Sequence, residues 1–413
     1  MPTPPDQPGS DPSPSNGTPD ANGRGEPSDA VPAAPNTPDR PTEWLRAEGP
    51  DSDVVLSSRV RLARNLVGFP FVHRCSREDR LALMGMIRRR LESADQPHSP
   101  PTDQPTKNPG AFAWVPIHEL SPTERTLLVE RHLISTNLAK GWSLHGAKTA
   151  KPPPDAADLP RALAHSRDER LAIMVNEEDH LRIQSIASGL ALDQAADAAD
   201  RIDDLLEAAL DFAYSPRFGY LTACPTNVGT GIRCSVMLHL PALRLSGEID
   251  KVKRAANDMT LAVRGFYGEG SDAIADLFQI SNQTTLGKTE RVIQHELARE
   301  IIPRVIEYER TERRKLLERK PRVVEDQAWR ALGLLRNARL LSTEEALSAL
   351  SAVRLGVVAG VFSGDPGSVT LAQINHLLLV AQPAHLQAIA GRPIDPERAR
   401  AVRADMLRER LAR

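Results

Sequence analysis

The 413-residue chain is 40% hydrophobic and 26% charged, with a formal net charge of -2 at pH 7, and is long enough for two folded units plus flexible segments. A balance so near neutrality gives no electrostatic ground for nucleic acid or an anionic membrane as the main partner. The three cysteines, Cys75, Cys224 and Cys234, have neither CxxC spacing nor an even count, which argues against a disulfide framework or a zinc site and predicts a reducing cytoplasm. No apolar run approaches the roughly 18 residues of a membrane span, and the N-terminus lacks the pattern of a signal peptide.

Residues 1 to 42 hold about a dozen prolines among Ser, Gly, Asp and Asn, with too little apolar side chain to offset the entropy of ordering. They read as a disordered tail. Stretches 96 to 110 and 150 to 160 have the same flavour and read as surface insertions. From 53 to 290, β-rich segments (53 to 62, 112 to 117, 171 to 175, 180 to 186, 219 to 223, 232 to 240 and 259 to 265) alternate with helices. Helix starts are signalled by Ser76, by Ser121-Pro122-Thr123-Glu124, and by apolar spacing over 191 to 213. Beyond about 291 the pattern is helical, with capping boxes at Ser342 to Glu345 and Thr370 to Gln373, and Asp395-Pro396 opening a last helix. The charged run 308 to 320 reads as a bridging helix with a solvated face. The expected class is α+β, a mainly antiparallel sheet flanked by helices over 43 to 311, followed by an all-α domain over 312 to 413.

Strand periodicity makes the first case for chemistry. In Ser57 to Leu62, alternation sets Val60 and Leu62 on one face and Arg59 and Arg61 on the other. Segment 178 to 184 repeats this, with Leu181 and Ile183 opposed to Glu178, His180, Arg182 and Gln184. In 232 to 240, Ile232, Cys234, Val236 and Leu238 alternate with Arg233, Ser235, Met237 and His239. Arg264 closes a fourth segment ahead of a glycine-bearing loop. Each arginine alone reads as a surface residue. As a set, five guanidinium forks can grip a triphosphate, and phosphoryl transfer is mostly positioning and charge neutralisation. NQTTLGKT (282 to 289) has Asn282 where a P-loop needs glycine, GEGSDA and GTGIRC are only fragments of a dinucleotide fingerprint, and no HRD or DFG pattern occurs.

SSRVRLARN (57 to 65), NEEDHLRIQS (176 to 185), TACPTNVGTGIRCSVMLHLPAL (222 to 243), RGFYGEGSDA (264 to 273) and ISNQTTLGKTE (280 to 290) resemble, in this order, the catalytic domain of the phosphagen (guanidino) kinases. The resemblance covers about 53 to 311 and is strongest to the bacterial branch that phosphorylates arginine in proteins. It implies that Arg59, Arg61, Arg182, Arg233 and Arg264 hold the ATP phosphates. Ser57, Ser58, Val60, His132, the segment Cys234, Ser235, Val236 and Met237, and the loop Gly265, Phe266, Tyr267, Gly268 and Glu269 would complete the nucleotide site. Glu178 would be the catalytic carboxylate, Glu269 a second one on a mobile loop, and Cys224 a reactive thiol; for that thiol the residues alone favour a structural cysteine. Mg2+ would be carried by phosphate oxygens and water, without a dedicated ligand cluster.

Two departures stand out. Tyr267 replaces an arginine of the free-guanidine enzymes, and 399 to 404, Ala-Arg-Ala-Val-Arg-Ala, keeps only Arg403 and Ala404 of a phosphoarginine-binding motif. With 56 residues ahead of Ser57 there is no room for the N-terminal domain that encloses small guanidines, so the expected acceptor is arginine within proteins. A kinase for free arginine and a non-catalytic adaptor are the alternatives. The resemblance also implies a homodimer, a zinc-binding activator and a Clp-type unfoldase as partners, and a part in protein quality control.

Overall fold

The computed structural model describes residues 38–94, 112–141, 156–265, 274–363 and 369–412. The strands are β1 (Val55–Arg64), β2 (Ala113–Pro116), β3 (Ala162–His165), β4 (Leu171–Val175), β5 (Leu181–Ser188), β6 (Tyr214–Ser215), β7 (Gly219–Tyr220), β8 (Ile232–His239), β9 (Leu261–Gly265) and β10 (Leu277–Asn282). Eight of them form one sheet in the order β2-β3-β4-β5-β1-β8-β10-β9, and every pairing is antiparallel. β6 and β7 make a separate ribbon, so the strand expected over 219 to 223 is only two residues long. β3 and β10 were not anticipated.

Helices α1 (Arg77–Ala94), α2 (Pro122–Glu130), α3 (Thr136–Lys140), α4 (Leu192–Glu207), α5 (Pro241–Leu245), α6 (Ile249–Asp258) and α7 (Glu290–His295) lie between and after the strands, and a π-helical stretch Glu296–Ile301 leads into α8 (Ile302–Arg319). The start signals act as their chemistry requires. Ser121 and Glu124 close a reciprocal capping box, and Ser76 and Asp79 exchange the same pair of bonds at 2.9 and 3.0 Å, which satisfies amide groups a helix start leaves open.

Period-two alternation divides the sheet. On one face Val60 and Leu62, Leu181 and Ile183, and Ile232, Cys234 and Val236 join the main core beneath α1, α4 and α6. On the other, Leu163, Ala172 and Met174 pack with residues of α2 and α3 at one end. At the opposite end Leu56, Met237 and Leu277 pack into the C-terminal helices. The middle of this second face carries the arginines. A one-residue slip of β1 would drive Arg59 and Arg61 into the core, so burial enforces the register that displays them.

The C-terminal region comprises α9 (Pro321–Asn337), α10 (Thr343–Val358), α11 (Leu371–Val380), α12 (Pro383–Ala390) and α13 (Pro396–Leu411). Ser342 and Glu345 form a capping box, and Thr370 and Asp395 accept from the amides of Gln373 and Arg398. The expected boundary at 311/312 falls inside α8; the helix is interrupted at Lys320, just ahead of Pro321. The charged run around it is not simply a solvated face. Glu309 is buried and accepts from the amides of Ala242 and Leu243 at 3.0 Å, while Arg310 and Arg313 reach Asp53. Arg403 is also buried, donating to the carbonyls of Ala381 and Leu341 at 2.8 Å.

Two further expectations change. Residues 38–42 of the presumed tail are packed against the body: Arg131 donates to the carbonyls of Pro38 and Arg40, and Asp39 pairs with Arg410 and His376. Of the insertion at 150 to 160, residues 156–160 are described and Ala156 is buried; its remainder and the insertion at 96 to 110 lie outside the described residues.

Candidate active site

The central strands present one row of side chains. Directly paired residues share a face, so the registers Arg61↔Gln184, Arg61↔Arg233, Arg59↔Ser235, Ser281↔Ser235 and Gln279↔Arg264 set Arg59, Arg61, Arg233 and Arg264 side by side across β1, β8, β10 and β9. Arg182, opposite Ala63, joins them from β5. Polar neighbours fix their aim: Arg59 Nη2 donates to Gln279 Oε1 at 2.8 Å and Arg233 Nη2 to Ser281 Oγ at 3.0 Å.

Their crowding has an electrostatic signature. Burial, followed by the charges of Arg233, Arg182 and Arg264, brings the Arg59 guanidinium down to about 10. Burial and the neighbours Arg59, Arg182 and Arg233 push Arg61 well below the ordinary value. Buried Nε of Arg61 has no hydrogen-bond partner among the described residues. Cations assembled at this cost suit a polyanion whose oxygens would offset their mutual repulsion.

Glu178 closes the row at the β5 end, but not from a strand. Residues 176–180 form the β4–β5 turn, in which Asn176 takes φ 60°, a left-handed conformation that asparagine tolerates. The strand period therefore stops at Leu181, and His180, expected beside Arg182, points elsewhere: its Nδ1 accepts from the Leu66 amide at 2.9 Å and its other nitrogen lies 2.7 Å from the Pro70 carbonyl. Arg182 bridges both acids, Nη1 to Glu177 Oε1 at 3.0 Å and Nη2 to Glu178 Oε2 at 3.2 Å. Burial opposes its charge, yet Glu177, Glu178 and Asp179 together raise its pKa. Glu177 is fixed in turn by the Ser135 hydroxyl at 2.5 Å and the Glu178 amide at 2.8 Å.

Cys224 lies beside this turn. Asp179 Oδ1 accepts from Asn65 and from the Ala223 amide, both at 2.7 Å, which clamps the segment bearing the thiol next to Glu178. The Cys224 sulfur is 3.0 Å from the Thr226 hydroxyl. At the other end of the row, Trp44, Ser57, Arg59, His132, Ile186, Ser235, Met237 and Gln279 line a small cleft. His132 takes φ 59°, and burial together with Arg59 and Arg61 drops its pKa to about 3, so it is neutral.

Four expected nucleotide contacts are corrected. Ser58, Val60, Cys234 and Val236 turn their side chains to the opposite, core face. Ser58 Oγ donates to the Gly189 carbonyl and accepts from the Ala191 amide, Val60, Cys234 and Val236 are fully buried in the main core, and burial pushes the Cys234 thiol up to about 12. Phe266, Tyr267, Gly268 and Glu269 lie outside the described residues; Gly265 ends β9. Among the described residues no group of three or more His, Cys, Asp and Glu could hold a metal ion. The sequence reading missed Glu177, Asp179, Gln279, Ser281 and Trp44. Alternation of Leu277, Gln279 and Ser281 with Phe278 and Ile280 was the available signal for β10.

An antiparallel sheet with a row of arginines ending on a carboxylate defines an ATP-using phosphotransferase of the guanidino-kinase class. Residues 102–312 match the model of the ATP:guanido phosphotransferase C-terminal catalytic domain, and 321–413 that of the protein-arginine kinase McsB C-terminal domain. The chain is 40% identical over 371 residues to a protein-arginine kinase of Pelotomaculum thermopropionicum, covering 90% of this chain and 96% of that one. It is 41% identical over 369 residues to that of Geobacillus stearothermophilus, covering 89% and 93%. Among solved structures, the duplicated taurocyamine kinase of Schistosoma mansoni with bound transition-state-analogue components superposes with a TM-score of 0.50 at 27% identity, over 64% of this chain; the chain spans 34% of that duplicated enzyme. Lombricine kinase, at 24% identity and a TM-score of 0.50 over 71% of this chain and 73% of its own, shares the fold. The chain belongs to the protein-arginine kinase family and is an ATP:guanidino phosphotransferase. Among the described residues no helix is long and apolar enough to cross a membrane.

Proposed function

We propose that the chain transfers the γ-phosphate of ATP to arginine side chains of proteins. The observation that carries this is the contact of Glu178 with Arg182 at the end of the arginine row, because it puts a carboxylate beside the phosphate grip. In the reaction a guanidinium nitrogen of the acceptor forms a bond to the γ-phosphorus, the bond from that phosphorus to the β–γ bridging oxygen breaks, and ADP leaves. Arg59, Arg61, Arg182, Arg233 and Arg264 hold the triphosphate and offset the charge that develops on it. Glu178 orients the acceptor and takes its proton, without which a guanidinium of pKa above about 12 is a poor nucleophile. Cys224 flanks the acceptor, and Glu269 would supply a second carboxylate.

Magnesium, bound to the triphosphate, would neutralise phosphate charge, which suits a site whose own contribution is arginine. The similarity of both the catalytic and the C-terminal portions to protein-arginine kinases favours protein-bound arginine over free guanidines, and the presence of Glu178 disfavours an adaptor. A cytoplasmic homodimer serving protein quality control, with a zinc-binding activator and a Clp-type unfoldase acting on the marked proteins, completes the reading by analogy with the family. Glu178→Gln tests its core: phosphoryl transfer should collapse while ATP still binds, and a variant that loses ATP binding would refute the role given to Glu178.

A further inference from the structure

Exposed apolar side chains flank the loop that carries Cys224. Tyr214 on β6 is 58% exposed, Phe218 in the turn between β6 and β7 is 44%, and Leu286 is 55%. Singly, such residues need no explanation. These three border one loop. Residues 224–229 run between the β6–β7 ribbon and residue 286, and Gly229 exchanges backbone hydrogen bonds with Tyr220 at 2.7 and 3.3 Å. A Cβ on Gly219 would fall 2.4 Å from the Gly229 carbonyl oxygen; one on Gly229 would fall 2.3 Å from the Thr285 carbonyl oxygen and 3.0 Å from the Leu286 Cα. Thr285 Oγ1 pins the loop further, donating to the carbonyls of Thr226 and Val228 at 2.9 and 2.8 Å. Phe218 and Leu286 thus stand on its two sides.

One side chain ties this rim to the catalytic turn. Asn65, the residue after β1, accepts from the His180 amide at 2.9 Å and donates to Asp179 Oδ1 at 2.7 Å and to the Leu221 carbonyl at 3.0 Å. Its own carbonyl accepts from the Ala213 amide at 2.7 Å. Asp179 and His180 directly follow Glu178, Ala213 precedes Tyr214, and Leu221 leads to Cys224. The base of the ribbon is therefore fixed within one side chain's reach of the acceptor end. A protein that presents an arginine to Glu178 must lay its flanking residues across this rim, where covering apolar surface is the available gain.

We propose that Tyr214, Phe218 and Leu286 dock the polypeptide around the target arginine and select acceptor proteins with an apolar side chain close to it. This rests on the reading of the Glu178 end as the acceptor site for arginine within proteins. The ribbon is braced for the task. The Tyr214 ring meets Tyr220 edge-on at 5.3 Å, Tyr220 meets Phe212 at 6.3 Å, and the Arg64 guanidinium lies 3.5 Å from the centre of the Tyr220 ring. A braced aromatic loses little freedom when a partner covers it.

The test uses the full chain as wild type, Tyr214→Ser, Phe218→Ser and Leu286→Ser, each with ATP and magnesium. The acceptor is an otherwise arginine-free protein whose flexible tail carries one arginine, flanked by leucines in one form and by serines in the other. Phosphoarginine formation gives kcat/KM for both forms. Wild type should favour the leucine-flanked form by about tenfold, chiefly through KM, the worth of partly covering one or two apolar side chains. Each serine variant should cut that preference to about threefold or less. Because one variant is compared on two acceptors, a general loss of folded enzyme cancels from the ratio. No preference in wild type, or a preference undiminished in all three variants, would overturn the proposal. A changed oligomeric state by light scattering with the preference intact would mark the rim as a contact between copies and overturn it too. Failure of wild type to phosphorylate either form would overturn the acceptor reading and the inference with it, whereas activity indifferent to the flanks overturns the inference alone.

Discussion

Arg354, on α10, donates from Nη1 to Nδ1 of His239, the last residue of β8, at 2.7 Å. A guanidinium has only donors, so this contact fixes the tautomer. The proton is on His239 Nε2, which donates to Ser351 Oγ at 2.8 Å, and that hydroxyl donates to Asp276 Oδ2 at 2.6 Å. Arg354 also reaches the carbonyls of Ser52 and Asp53 and the Asn375 Oδ1. The strand that carries Arg233 is thus bonded to the C-terminal helices through a buried, protonation-dependent chain.

Acid should loosen that joint. Burial, then the charges of Arg354 and Arg313, holds His239 well below its ordinary 6.5, and His132 is down at about 3. The unfolded chain therefore binds more protons once the pH drops below about 6.5; this stability is complete above that value and is lost as pH falls through the window, by at most about 1.4 kcal/mol per pH unit for each histidine. Denaturant unfolding at pH 7.5 and 5.5 should show a smaller loss for His239→Gln than for wild type. Equal losses would contradict it.

Removing the guanidinium itself should cost more. Arg354→Met strands several buried acceptors, so unfolding free energy should drop by about 3 kcal/mol at neutral pH. A Met variant as stable as wild type would mean that relief of a buried cation, whose pKa burial brings down to about 9, outweighs the lost bonds.

The arginine row predicts opposite signs for stability and binding. Arg61→Met relieves repulsion and desolvation, so the nucleotide-free protein should melt no lower than wild type, while ATP affinity falls by roughly 10- to 150-fold, the worth of a charge-assisted hydrogen bond. Thermal shift with and without ATP reads both.

Asp179 acts through its neighbours. Asp179→Ala frees the Ala223 amide and Asn65, and should speed alkylation of Cys224 severalfold, read by mass spectrometry. An unchanged rate would deny that the clamp orders the thiol segment.

Much of the site was legible because a period of two is a strong signal in strands with one buried face: Arg59, Arg61, Arg182 and Arg233 fall where alternation puts them. The same rule over-reached at turns and faces. It carried His180 onto the arginine side because it could not see that the hairpin turn spans 176–180. Ser58, Val60, Cys234 and Val236 came from taking whole motif segments as contacts although their own alternation pointed them to the core. Trp44 and Glu177 act through contacts distant in sequence, with His132 and Ser135, and a linear pattern holds no trace of those. Capping boxes at Ser121 and Ser342 were readable because their chemistry is local.

The account depends most on Glu178 working beside an intact phosphate grip on arginine within proteins. Wild type and Glu178→Gln, each with ATP and magnesium, should be offered an arginine-bearing protein and, separately, free arginine, with acid-labile phosphoarginine measured. The account predicts protein-bound phosphoarginine from wild type, a fall of about 10²- to 10⁴-fold in Glu178→Gln, and ATP binding within threefold of wild type. Transfer to free arginine alone, or a fully active Glu178→Gln, would contradict it.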